Sequence, residues 1–265
     1  MRRTAIIGFA RTTGFAVVFA CAALTDLAPA AEQKADILIK TKTIEISVTL
    51  DVRIKADPAL ARNCHAEGKK WAAELHANAG KTNGESPESL SGASTFDRTY
   101  SMRSVVNGRY VSIIRGEREY TGGAHPNHWE DTILWDRTAN KRISIRPFFT
   151  ETADNGPALN AMRQAIIASL KIEKKKRGAE GTNLDLIEGI EPELLKIGPV
   201  SLAPSTVQGK SSGLTFHYAP YAVGSYAEGG YVAFVPWETL KPYLTREGAA
   251  IFGGSRPKGD EDPQQ

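Results

Sequence analysis

The sequence predicts an α+β fold, with antiparallel sheet packed on two main helices. Three observations carry that expectation. Apolar and polar residues alternate without a break over 44–55, Asn107-Gly108 links two further strand-like segments, and two apolar stripes at helical spacing follow Asp57-Pro58 and Pro157. No strand leads through a glycine-rich loop into a helix as phosphate binding would require, and no internal repeat is evident. The order, strands grouped around two main helices, argues against a parallel dinucleotide-binding fold.

The chain opens like a secretory signal. Arg2, Arg3 and Arg11 form a basic start, residues 15–24 are a short apolar core, and Leu27-Ala28-Pro29-Ala30 places small residues at the third and first positions before a cut. Residues 1–30 are therefore expected to be a signal peptide cleaved near Ala30, giving a periplasmic or secreted protein. The apolar run falls short of the roughly 20 residues a membrane-crossing helix needs, so no transmembrane segment is expected in the mature chain. Val18-Phe19-Ala20-Cys21 resembles a lipoprotein cleavage box, but bulky Phe19 beside the cut argues against lipidation at Cys21. The twin Arg2-Arg3 lacks the rest of a folded-export signal. Cleavage would remove three arginines and Asp26, taking the formal charge from +3 to +1. A nearly neutral chain has no electrostatic footprint for nucleic acid. Cys64 would then be the one thiol left, and it cannot form an internal disulfide. Stability has to come from a hydrophobic core, for which about 235 residues are enough.

Element by element, the alternation over 44–55 predicts one strand with a buried face (Ile44, Ile46, Val48, Leu50, Val52, Ile54) and a wet one. Asp57 caps and Pro58 opens a helix whose Leu60, Cys64, Trp71 and Leu75 share a face. Cys64 is thereby a core thiol and inert. Residues 78–94, rich in Gly, Ser and Asn, read as a surface connection. Strands are expected at 96–106 and 110–120, then a hairpin of 129–135 and 142–145. Pro157 starts the second helix, with Leu159, Met162, Ile166 and Leu170 as its stripe. Its lysine-rich end, 171–177, reads as solvated cations facing the negative end of the dipole. A loop with a short helix at 191–196 follows, then strands at 200–207, 214–218 and 231–235 and a short helix at 236–244. Residues 31–252 read as one domain, or as two packed halves at 35–150 and 151–252. Residues 253–265 carry no apolar side chain beyond proline and read as a disordered tail.

Two loops stand out. Tyr120-Thr-Gly-Gly-Ala-His-Pro-Asn127 contains paired glycines that permit backbone angles closed to other residues, and His125-Pro-Asn-His128 fits a β-turn that would bring the two imidazoles together. The second, between the last two strands, holds Tyr218, Tyr221, Tyr226 and Tyr231. Tyrosines in such a segment serve as core packing or as a recognition surface. With 143–149 (ISIRPFF), 214–221 (LTFHYAPY) and Tyr226-Ala-Glu-Gly229, these motifs resemble a domain of unknown function shared by RsiV-type anti-sigma factors and the region preceding the catalytic domain of PdaC-type peptidoglycan deacetylases. The similarity spans about residues 40–245, and GGAHPN is its most specific part.

The resemblance implies a binding or sensing module of the cell envelope. RsiV-like ectodomains bind lysozyme, and in the deacetylases the domain accompanies an enzyme. The partners so implied are a lysozyme-like protein or a peptidoglycan-type glycan, with Tyr120, Gly122, Gly123, His125, Asn127, Tyr221, Tyr226 and Gly229 as binding residues. Glu130, Asp131 and Asp136 would aid encounter with a basic partner. No catalytic residue, metal ligand set or cofactor is assigned. The alternative is a metal-assisted hydrolase acting on wall polymer through His125, which needs a third ligand from Glu130, Asp131 or His217. Oligomeric state is not legible in the sequence.

Overall fold

The computed structural model describes residues 34–82 and 93–260. The expected signal peptide, Cys21, most of the 78–94 connection and the last five residues lie outside that range. Two sheets form. The larger runs β1 (Ile37–Lys40), β2 (Ile44–Leu50), β3 (Ser94–Val106), β4 (Tyr110–Tyr120), β5 (Asn127–Asp136) and β6 (Lys141–Ile143) in sequence order, and the smaller runs β7 (Val200–Leu202), β8 (Gly213–Tyr218) and β9 (Tyr231–Pro236). The fold is α+β as predicted, with one exception to antiparallel pairing. β2 and β3 are parallel, because helices α1 (Val52–Lys55) and α2 (Pro58–Thr82) carry the chain back across the sheet between them.

The alternation over 44–55 is therefore cut short at Leu50. Asp51 accepts from the backbone N–H of Arg53 at 2.8 Å and caps α1, so Val52 ends 66% exposed while Ile54 is buried. Asp57 accepts from the N–H of Leu60 at 3.2 Å and so starts α2, as its sequence foretells. That helix does not stop at Asn78 but runs to Thr82, since alanines 77 and 79 sustain it into the expected loop. Cys64 is fully buried, and burial pushes its thiol up to about 12. The Asn107-Gly108 hairpin has positive φ at both residues (50° and 64°), as a two-residue turn of matching twist demands.

The large sheet has two different faces. One packs Ile46, Val48, Tyr100, Val111, Ile113 and Trp135 against Leu60, Cys64 and Ala72 of α2. The opposite face contributes Val106, Tyr110 and Leu134 to a second cluster built with the small sheet and with α3 (Pro157–Lys176), whose Leu159, Met162, Ile166 and Leu170 are all fully buried. A register shift between Met102 and Ser104 lets β3 serve both: Met102 joins the α2 side, while Ser104 donates to the carbonyl of Leu202 at 2.6 Å on the other.

Four other expectations change. The short helix sits at α4 (Leu184–Glu188), with turns over 191–197, and β7 is three residues long because the chain after Leu202 leaves the ladder. Helix α5 (Trp237–Leu240) is followed by a further helix, α6 (Arg246–Ile251), capped by Thr245. Residues 253–260 are tied down instead of disordered. Gly253 donates to the Ser211 carbonyl, Thr206 exchanges hydrogen bonds with Ser255, and Asp260 forms buried ion pairs with Arg103 and Arg256.

Candidate functional site

The β4–β5 corner is made by Thr121–Pro126. Gly122 and Gly123 take φ of 100° and 106°, and Tyr120 Oη donates to the Gly123 carbonyl at 3.1 Å. Asn127 and His128 already belong to β5, paired with Glu119 and Arg118. The β-turn expected over His125–His128 therefore does not form, because the glycines reverse the chain earlier and the ladder then takes up the backbone groups of 127 and 128.

The corner meets the loop joining β8 to β9. His125 stacks on Tyr226 with ring centroids 3.6 Å apart and planes 16° from parallel, and His128 reaches the same ring at 6.3 Å. Tyr221 stands 5.5 Å from Tyr226, its Oη 3.2 Å from His125 Nε2. His125 Nδ1 lies 3.1 Å from the Pro126 carbonyl, which only accepts, so in the neutral ring Nδ1 holds the proton and Nε2 accepts from Tyr221. Burial, with Arg118 and His125 close by, lowers the His128 imidazole below its ordinary value. Tyr218 and Tyr231 are core residues instead: Tyr218 donates to the Ile197 carbonyl and Tyr231 to Glu228.

Tyr221 is 57% exposed and holds φ of +73°, a conformation that costs a residue with a Cβ about 1–2 kcal/mol. Tyr221→Gly is therefore expected to be more stable than Tyr221→Ala by about 1 kcal/mol in urea denaturation, although glycine loses more chain entropy on folding. Equal stabilities would mean the backbone there is not under strain.

Beside the aromatic cluster a groove of about 510 Å³ runs between the large sheet and the β8–β9 loop. Asp97, Thr99, Arg118, His128 and Glu130 line it from the large sheet, Pro220, Tyr226 and Gly229 from the loop. Gly116 forms part of it, and a Cβ there would come within 3.0 Å of Thr99 Oγ1. Asp97 is held by Ser47 Oγ at 2.8 Å and Arg118 Nη1 at 3.3 Å. The loop itself hangs on Glu228, which accepts from Lys174 Nζ at 2.6 Å, Tyr231 Oη at 2.6 Å, Asn183 Nδ2 at 3.0 Å and the Ser225 N–H at 3.0 Å.

Of the sequence-derived residues, His125, Tyr221 and Tyr226 come together, Gly229 lines the groove with φ of 73°, and Tyr120, Gly122 and Gly123 shape the corner. Asn127 is exposed at the start of β5. Asp97, Arg118 and Gly116 were not foreseen, although a glycine inside the strand pattern YVSIIRGEREY signals close approach. Lys174, expected in solvent, is 1% exposed. Asp136 is not near the loop: it is buried at the far end of β5, bound to Arg109. The third metal ligand does not converge either. Asp131 faces the α2 side, paired with Arg115 at 2.5 Å, and His217 is buried against Ser201. Among the described residues no three His, Cys, Asp or Glu side chains group to hold an ion.

A crystal structure of a DUF3298 family protein from Pseudomonas aeruginosa PAO1 aligns over 84% of this chain and 96% of its own, with a TM-score of 0.54 and 15% identity. The chain has the fold of a DUF3298-type domain. A second member, from Bacteroides fragilis, aligns over 79% and 92% of the two chains at a TM-score of 0.47 and 14% identity. No family model and no curated protein matches the sequence. Among the described residues no helix is long and apolar enough to cross a membrane.

Proposed function

We propose that the chain is an exported, non-catalytic binding or sensing module of the cell envelope, related to the RsiV and PdaC domains, whose ligand sits in the groove between the large sheet and the β8–β9 loop. The observation that carries this reading is the His125–Tyr226 stack at the edge of a 510 Å³ groove. An aromatic wall packs on the apolar face of a sugar ring, while Asp97, Arg118 and Glu130 offer acceptors and donors for hydroxyl and acetamido groups. This chemistry favours a wall glycan over a lysozyme-like protein. The hydrolase alternative draws no support from His125: its free ring nitrogen is taken by Tyr221, two of its candidate co-ligands, Asp131 and His217, lie elsewhere, and among the described residues Glu130 completes no group of three ligands.

The test is co-sedimentation of residues 31–265 with insoluble peptidoglycan, alongside calorimetry with lysozyme. Retention by the glycan, weakened about tenfold in Tyr226→Ala, is expected, which corresponds to about 1.4 kcal/mol. Neither partner bound at tens of micromolar, or equal binding by Tyr226→Ala, would overturn the proposal. Binding of lysozyme alone would keep the module and replace its ligand.

A further inference from the structure

The other face of the same strands carries a second groove, of about 390 Å³, between α2 and the outer ends of β4 and β5. Its apolar walls are Trp71 and Leu75 from α2 and Trp129 from β5, the last 47% exposed. Around them stand Glu117, Glu119 and Asp131, against a single lining cation, Arg115, while Glu130 lies at the edge shared with the first groove. That arginine is already committed to Glu67 and Asp131. Among the described residues the flanking groups do not restore balance. Arg98 pairs with Glu117 at 2.7 Å, Arg142 with Glu67, and Glu119 makes no ion pair among the described residues.

The structure uses this surface for cations already. The Arg98 guanidinium lies 4.3 Å from the Trp71 ring centroid, over its face. A guanidinium or ammonium is drawn to an indole face by the ring quadrupole, best of all for tryptophan, and a neighbouring carboxylate adds charge complementarity. The alkyl stem of a long basic side chain meanwhile covers apolar surface. Trp129 offers a second indole, half exposed, with Asp131 on the same face of β5 and Glu119 beyond it on β4.

We infer that the Trp71–Trp129 groove is a docking site for an arginine or lysine side chain projecting from a basic partner protein. It shares Glu117, Trp129 and Glu130 with the rim of the first groove, whereas Trp71, Leu75 and Glu119 line this one and not the first, and it does not depend on what the first groove binds. The chain's formal charge is +3, so attraction of a cation here is local to this patch and is screened beyond about 10 Å at 0.1 M salt.

The probe is hexa-arginine, with hexacitrulline as its uncharged isostere, titrated while the indole N–H signals of the four tryptophans are followed by NMR. Trp71 and Trp129 are expected to shift with hexa-arginine and not with hexacitrulline, and Trp135 and Trp237 to stay put. Trp129→Ala and Glu119→Gln should each weaken binding about fivefold, the equivalent of a cation–π contact near 1 kcal/mol. Tyr226→Ala should leave it unchanged, which separates this site from the glycan groove. Shifts indifferent to charge, or wild-type affinity in both groove variants, would overturn the inference. Trp129 is half exposed and Glu119 makes no ion pair among the described residues, so neither variant threatens the fold.

Discussion

Glu228→Gln is expected to cost about 3–5 kcal/mol in urea denaturation, because it leaves the Lys174 ammonium, 1% exposed, without its counter-charge. Lys174 continues the apolar stripe of α3 one turn beyond Leu170, so its stem packs in the core and its head has nowhere else to go. Burial acts to raise the Glu228 carboxyl. Lys174, Tyr231 and Ser225 outweigh it and hold the group well below the usual carboxylate range. The double variant Lys174→Met, Glu228→Gln should regain most of the loss, since methionine fills the same channel with no charge to strand. The single variant should also loosen residues 225–230 and with them Tyr226, so glycan retention falls beyond the loss of folded protein. A Glu228→Gln cost below about 1 kcal/mol, or no recovery in the double variant, would show that the pair is not what holds this loop.

That pair also marks where sequence reasoning stops. Leu159, Met162, Ile166 and Leu170 declare the buried face of α3 by spacing, and Asp57-Pro58 declares the start of α2 by capping chemistry. Both signals are local, and both elements form where they say. Lys174 shares the stripe's phase, but its charge reads as solvent until a partner from 54 residues downstream is in place. Ser225 and Glu228 do form a capping box, a local hint that Glu228 is structural. Asp51 shows a different failure: β-pattern alternation continues through Val52 and Ile54, and a single side chain accepting a backbone N–H ends the strand. The glycine corner and Tyr226 were both legible as unusual. Their stacking, across about a hundred residues, depends on the meeting of two sheets, which no spacing records.

Lowering the pH from 6.5 toward 4.5 is expected to destabilise the protein at about 1.4 kcal/mol per pH unit at most, through His217. This imidazole is 1% exposed on β8; burial lowers it from an ordinary 6.5 to about 3, helped by Arg103 and Arg256 and opposed by Asp260. Its Nε2 lies 2.9 Å from Ser201 Oγ, and Nδ1 has no partner among the described residues. Between about 3 and 6.5 the unfolded chain binds a proton at this position and the folded chain does not. Stability therefore rises with pH across that window and is flat with respect to His217 above it. The depressed carboxylates Glu228, Asp260 and Asp136 contribute with the same sign, but their stabilisation is lost only as pH falls below their ordinary values of 3.8 to 4.5. The interval from 4.5 to 6.5 consequently isolates histidine. Urea denaturation of His217→Gln should show a shallower slope there, whatever its stability at pH 7. His128→Gln should keep most of the wild-type slope, because His128 is only half-buried. An unchanged slope in His217→Gln would place the acid sensitivity elsewhere.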